Sequence, residues 1–150
     1  MPLIHFQHAA TPEGILPDSP VEPGLAEGSH RDQRRQLVLR AVSVLRRHLG
    51  EPVRIAELSR VAGVSDRTLR AAFHDVIGVS PKQFEIAQRL RSARTALLAA
   101  DPKTTTVTDI ATEYGFYELG QFAGRYRHAF GELPSRTLQH ATARWPMEAA

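Results

Sequence analysis

The sequence predicts an all-α protein: two helix-turn-helix subdomains joined by a long linker helix, about seven helices in total. Three observations carry that expectation. First, Ile55-x-x-Leu58-Ser59-x-x-x-Gly63 returns 52 residues later as Val107-x-x-Ile110-Ala111-x-x-x-Gly115. Second, each copy is followed by a further signature, Phe73-x-x-x-x-Gly78-x-x-Pro81 and then Tyr126-x-x-x-x-Gly131-x-x-Pro134. Its lag grows to 53 because one residue is inserted between Gly115 and Tyr126. An apolar-apolar-small-Gly run followed by a second helix is what a helix-turn-helix needs. Third, nothing in the chain alternates with period two over enough residues to argue for a sheet.

Residues 1–29 hold five prolines and three glycines without a sustained period. They read as a disordered tail or an interdomain linker. Ser29 followed by Asp32 marks a helix start. Leu37, Ala41, Val44, Leu45 and Leu49 then recur at helical spacing until Gly50 and Pro52 stop the helix. A second helix is expected over 54–62 and a third over 65–77, with Gly63 at a turn that needs positive φ. Ser65 can cap the third helix. Ser80 and Pro81 open a fourth helix running to Ala100, with Phe84, Ala87, Leu90, Ala93 and Leu97 as one buried stripe. Helices over 107–114 and 118–130 follow, and a short one begins near Pro134. The expected organisation is a tail over 1–29, a folded part over 30–141 and a C-terminal tail over 142–150. Within the folded part, the first unit covers about 30–80, the linker helix about 81–100 and the second unit about 104–141.

At 150 residues and 42% hydrophobic, the chain can support one domain with a core of its own. It has no cysteine, which removes disulfides and cysteine zinc sites and agrees with a reducing cytosol. No apolar stretch approaches the ~20 residues that span a bilayer. The start, MPLIHFQHAA, has no basic n-region with an apolar core behind it. A cytoplasmic protein without membrane contact is expected. The charge is unevenly spread. Residues 1–30 carry four acids and no Lys or Arg, so all 19 basic residues lie in 31–150 beside 12 acids. A basic folded part suits a polyanionic partner. No Gly-rich phosphate loop, nucleophile elbow or metal-ligand spacing is present. His74 and Asp75 are adjacent on a helix and diverge by ~100°. Neither catalysis nor a cofactor is expected.

The stretches AGVSDRTLRAAF, GVSPKQF with RL at 89–90, TDIATEYGF and YRHAFGELPSRTL resemble the DNA-binding domain of the AraC/XylS family of bacterial transcription regulators. The resemblance covers roughly 31–141. Its second half is specific: the family carries I-A-x-x-x-G-F followed by F-x-x-x-[FY]-[KR]-x-x-[FY]-G-x-x-P. It implies two helix-turn-helix units that read double-stranded DNA with the third and sixth helices, and a protein that regulates transcription, more often as an activator. It also implies RNA polymerase as a partner. Relatives often carry an N-terminal effector-binding domain, so the chain reads as a standalone regulator or the C-terminal portion of a longer parent. The geometry agrees with such a reader: a linker helix of about 20 residues spans roughly 30 Å, and major-groove faces of one side recur every ~34 Å.

On the third helix Leu69 and Phe73 face the core, so Arg67 and Ala71 point nearly opposite with Arg70 and Thr68 on the flanks. Arg67 and Arg70 are the expected base readers, because guanidinium groups bond bidentately to guanine. The resemblance puts base contacts at these positions and at Ala71, where relatives often have Arg. On the sixth helix Phe122 and Tyr126 face inward. Gly120, Gly124 and Arg127 lie opposite, flanked by Gln121 and His128. Gln121, Gly120 and Gly124 are expected at the bases, although Gly124 replaces an Arg common in the family. Ser65, Thr68, Ser80, Arg89, Thr108, Arg125 and Arg127 are expected at phosphates, four of them at or near helix starts whose free N–H groups attract anions. The competing reading is a helical protein-interaction module on the same fold that does not bind DNA.

Overall fold

Leu37, Val38, Ala41, Val42, Val44 and Leu45 put a continuous apolar face on one helix, and the first core assembles on it. The computed structural model describes residues 28–142. These form α1 (Gly28–Arg47), α2 (Ile55–Ala62), α3 (Asp66–Ile77), α4 (Pro81–Ala99), α5 (Val107–Glu113), α6 (Leu119–Phe130) and α7 (Pro134–Thr142). Among the described residues there is no strand. No helix in them is long and apolar enough to cross a membrane. Of the tails expected over 1–29 and 142–150, residues 1–27 and 143–150 lie outside the described residues, while 28–29 belong to α1 and 142 to α7.

Two apolar clusters divide the molecule. The first joins α1 to Leu58 and Ala62 of α2, Leu69, Ala72 and Phe73 of α3, and Phe84 at the start of α4. The second joins Leu90, Ala93 and Leu97 of α4 to Ile110, Ala111, Phe116, Phe122, Tyr126 and Leu138. The buried stripe expected along the linker helix is therefore split between two cores. Phe84 meets Phe73 edge-on at 5.9 Å, Leu90, Ala93 and Leu97 face the second unit, and Ala87 is only half-buried, contrary to expectation. Each unit also has its own brace. α1 lies across α2 and α3, with an Arg34–Asp75 ion pair between α1 and α3. α7 packs mainly on α4 and backs the second unit.

One local expectation is corrected. Ser29 does not open α1. The helix already includes Gly28, and the Ser29 hydroxyl accepts from Gln33 Nε2 one turn on, at 3.2 Å.

Candidate nucleic-acid interface

Each unit presents a 12-residue helix, α3 or α6, behind a tight turn made by a left-handed glycine. Gly63 closes α2 at φ 72°, and Val64 N–H donates to Ser59 O across it. Gly115 plays the same part at φ 74°, with Phe116 N–H donating to Ala111 O at 2.8 Å. Positive φ strains any residue with a Cβ, which is why glycine stands at both turns.

α3 starts on Ser65, whose side chain accepts from Thr68 N–H at 3.2 Å. Leu69, Ala72 and Phe73 are buried, which turns Arg67, Thr68, Arg70 and Ala71 to solvent. His74 Nδ1 lies 3.9 Å from Asp75 Oδ1, outside hydrogen-bond range. α6 starts on Glu118, which makes no side-chain bond to the helix backbone. Its carboxylate instead accepts from Gln121 Nε2 at 2.8 Å. Phe122 and Tyr126 are buried while Gly120, Gln121, Gly124, Arg125 and Arg127 are exposed. A Cβ on Gly120 or Gly124 would meet nothing within 4 Å, so packing does not require glycine at either place.

The polar support behind α6 is continuous. Tyr126 Oη donates to Thr137 Oγ1 at 2.8 Å, and Thr137 Oγ1 donates to Glu132 Oε1 at 2.7 Å. Burial pushes the Tyr126 phenol above its ordinary pKa, partly offset by that bond to Thr137. Arg94 sits over the Phe130 ring at 4.7 Å and 3.6 Å from Glu132.

The helix starts expected to face phosphates differ in what already fills them. Ser80 makes a reciprocal cap with Gln83, a neutral partner. At α5, Thr106 N–H and Oγ1 both donate to Asp109 Oδ2, at 2.9 and 2.6 Å. The side-chain bond and then the backbone bond from Thr106 hold the Asp109 carboxyl below its ordinary pKa. A phosphate near Thr108, which is exposed, would meet that carboxylate as a like charge.

Arg89 is a correction. It was expected at a phosphate, but it is only 4% exposed, and its Nε lies 2.8 Å from Glu85 Oε1. Its Nη1 donates to the carbonyls of Tyr114 and Gly115, and its guanidinium covers Phe116. A head group held this way cannot reach a DNA backbone. The signal was present in the sequence: Arg89 precedes buried Ala93 by four and follows Glu85 by four, so all three share one face of α4. The expectation also passed over Tyr117, 69% exposed in the turn that launches α6. A groove of about 450 Å³ separates α4 from α6, lined by Ile86, Ala87 and Leu90 on one side and Gly124, Arg125 and His128 on the other.

With this arrangement established, the similarity to known proteins is informative. The helix-turn-helix domain family matches residues 58–140. The XylDLEGF operon transcriptional activator of Pseudomonas putida is 37% identical over 100 residues, covering 67% of this chain and 31% of that protein. A solved structure of a probable AraC family transcriptional regulator from Rhodopseudomonas palustris superimposes with TM-score 0.65 at 38% identity, covering 71% of this chain and 97% of that one. The DNA-binding domain of AdpA, solved in complex with a target DNA, superimposes with TM-score 0.60 at 26% identity, covering 77% and 97%. The chain spans about a third of the length of the curated relatives it matches.

Proposed function

The chain belongs to the AraC/XylS family of helix-turn-helix proteins, and from that membership we propose that it is a sequence-specific DNA-binding regulator of transcription. In this reading α3 and α6 enter successive major grooves. The observation that carries it is the pairing of two exposed 12-residue helices, each behind its own glycine turn, in two units that share the 19-residue helix α4.

Arg67, Arg70 and Ala71 read bases from α3, and Gln121 does so from α6 once it leaves Glu118. Gly120 and Gly124 let the α6 backbone approach the base edges. Thr68, Arg125 and Arg127 bind phosphates, joined by the helix starts at Ser65 and Ser80, while the Asp109 carboxylate argues against Thr108 as a phosphate ligand. Activation is the favoured mode because a relative of this chain is named as an activator. RNA polymerase is then a partner, and where the chain is the C-terminal portion of a longer parent, an effector-binding domain belongs to that parent. A regulator of this kind acts in the cytoplasm and needs no catalytic residue.

Titrating salt against binding to a selected duplex tests the reading. Six or more phosphate contacts predict a loss of about 10³-fold or more between 50 and 200 mM salt. Arg67→Ala should cost about 1–3 kcal/mol at one or two base positions, while Arg127→Ala should weaken all duplexes evenly and flatten the salt slope. Binding that ignores salt, or none at all, favours the interaction-module alternative.

A further inference from the structure

The linker helix buries two opposite charges side by side, Glu85 at 3% exposure and Arg89 at 4%. Taking both from water is unfavourable unless every remaining donor and acceptor is matched. Here Arg89 Nε and Glu85 Oε1 stand 2.8 Å apart as an ion pair without hydrogen-bond geometry, and the hydrogen bonds of the guanidinium point outward from α4. Arg89 Nη1 donates to Gly115 O at 2.9 Å and to Tyr114 O at 3.2 Å, and the guanidinium stacks on Phe116 at 4.6 Å. Lys82 Nζ holds the other Glu85 oxygen at 2.7 Å. All three residues that Arg89 touches in the second unit lie in the turn that launches α6.

The same turn rests on the first unit from its other side. A Cβ on Gly115 would stand 2.8 Å from Gly50 O and 3.4 Å from Pro52 Cδ, and a Cβ on Gly50 would stand 3.0 Å from Glu113 O. Gly50 and Pro52 lie between α1 and α2. The turn is thus held between the guanidinium of α4 and the backbone of the first unit, with two glycines permitting the approach.

We propose that the Glu85–Arg89 pair is a latch that fixes the second reading helix relative to the first, so that Arg89 is a positioning residue for half-site spacing. This rests on the reading above, in which α3 and α6 both enter DNA. Spacing can be selected only by a rigid pair of heads. A rigid tandem reader loses the contribution of one head when the sites are misplaced, whereas a loosely joined pair keeps much of it.

The chain has no cysteine, so spin labels can be placed through His74→Cys and Arg127→Cys, equivalent positions of α3 and α6. Electron-electron distance measurements without DNA then report head-to-head rigidity. The test variant is Arg89→Met with Glu85→Leu, which removes both charges and strands neither. Gly50→Ala, which loads the far side of the turn without touching the pair, serves if the double variant fails to fold. The parent should give one narrow distance and the variant a distribution at least about twice as broad. On unlabelled protein, inserting one base pair between half-sites should weaken the parent about 10²-fold and the variant less than about tenfold, with single half-site affinity unchanged. A folded variant whose distances stay as narrow as the parent's overturns the latch. Broadened distances with an unchanged spacing penalty overturn its link to spacing. A parent that binds no duplex overturns the proposed function instead, and broadening would still establish the latch.

Discussion

The two helix-turn-helix units repeat their cores but invert their end chemistry. In the first, the supporting helix α2 begins on Arg54 with no side-chain cap, while the reading helix α3 is capped by Ser65. In the second, the supporting helix α5 carries the reciprocal Thr106–Asp109 cap, while the reading helix α6 begins on Glu118 with none. α3 bears Arg67 and Arg70, whereas the corresponding stretch of α6 bears Gly120 and Ala123. The first reading helix is thus specified mainly by its own residues. The second is held from behind, by Arg89 at its turn and by the Tyr126–Thr137–Glu132 chain along its body. What the repeat preserves is the packing face, and what it lets drift is the face left for a partner.

The largest effects should come from what the units share. Leu69→Ala should destabilise the first core by about 2–5 kcal/mol and Phe122→Ala the second by about 3–5 kcal/mol, read from urea unfolding. If the units fold separately, each change will move one of two transitions; if the molecule is cooperative, both will move a single one. The turn glycines should differ next. Gly63→Ala meets open space and carries only the left-handed backbone strain, about 1–2 kcal/mol. Gly115→Ala adds a collision with Gly50 O at 2.8 Å, so it should cost clearly more. Equal losses would show that the second turn is not clamped.

The caps give a smaller and reciprocal contrast. Ser65→Ala and Thr106→Ala should each cost about 1 kcal/mol, whereas Arg54→Thr, placed three residues before Glu57, should stabilise by about 0.5–1 kcal/mol. Thr106→Ala also has a pH signature. Because Asp109 is held below its ordinary pKa in the folded state, its contribution is present above the ordinary carboxylate range and lost as pH falls through the lowered value. The variant should therefore lose less stability than the parent over that acid limb. Gly120→Ala and Gly124→Ala, each in open space, should raise stability by about 1 kcal/mol. If backbone approach to DNA is the reason for these glycines, affinity will fall in the same variants; unchanged affinity would remove that reason.

The repeat, the periodic apolar residues and the Gly and Pro stops made the seven helices and their inward residues legible in the chain. Leu69, Phe73, Phe122 and Tyr126 are buried because each lies four residues from its partner on one helical face. Arg89 was misread because its residue type outweighed its position, although Glu85 and Ala93 mark it as inward. The seating of Gly115 on Gly50 could not be read at all. It is a contact between backbones 65 residues apart, and no local pattern encodes it. Ser59 shows a further limit: its hydroxyl is buried without a hydrogen-bond partner where the second unit has Ala111, a difference the structure does not explain.

Selection of bound sites from random duplexes tests the central claim most directly. Two blocks of base preference should emerge, their centres about 10–10.5 base pairs apart, with Arg67→Ala relaxing one block and Gln121→Ala the other. A single block, or two blocks whose separation is free to vary, would contradict a reader with two rigidly spaced heads.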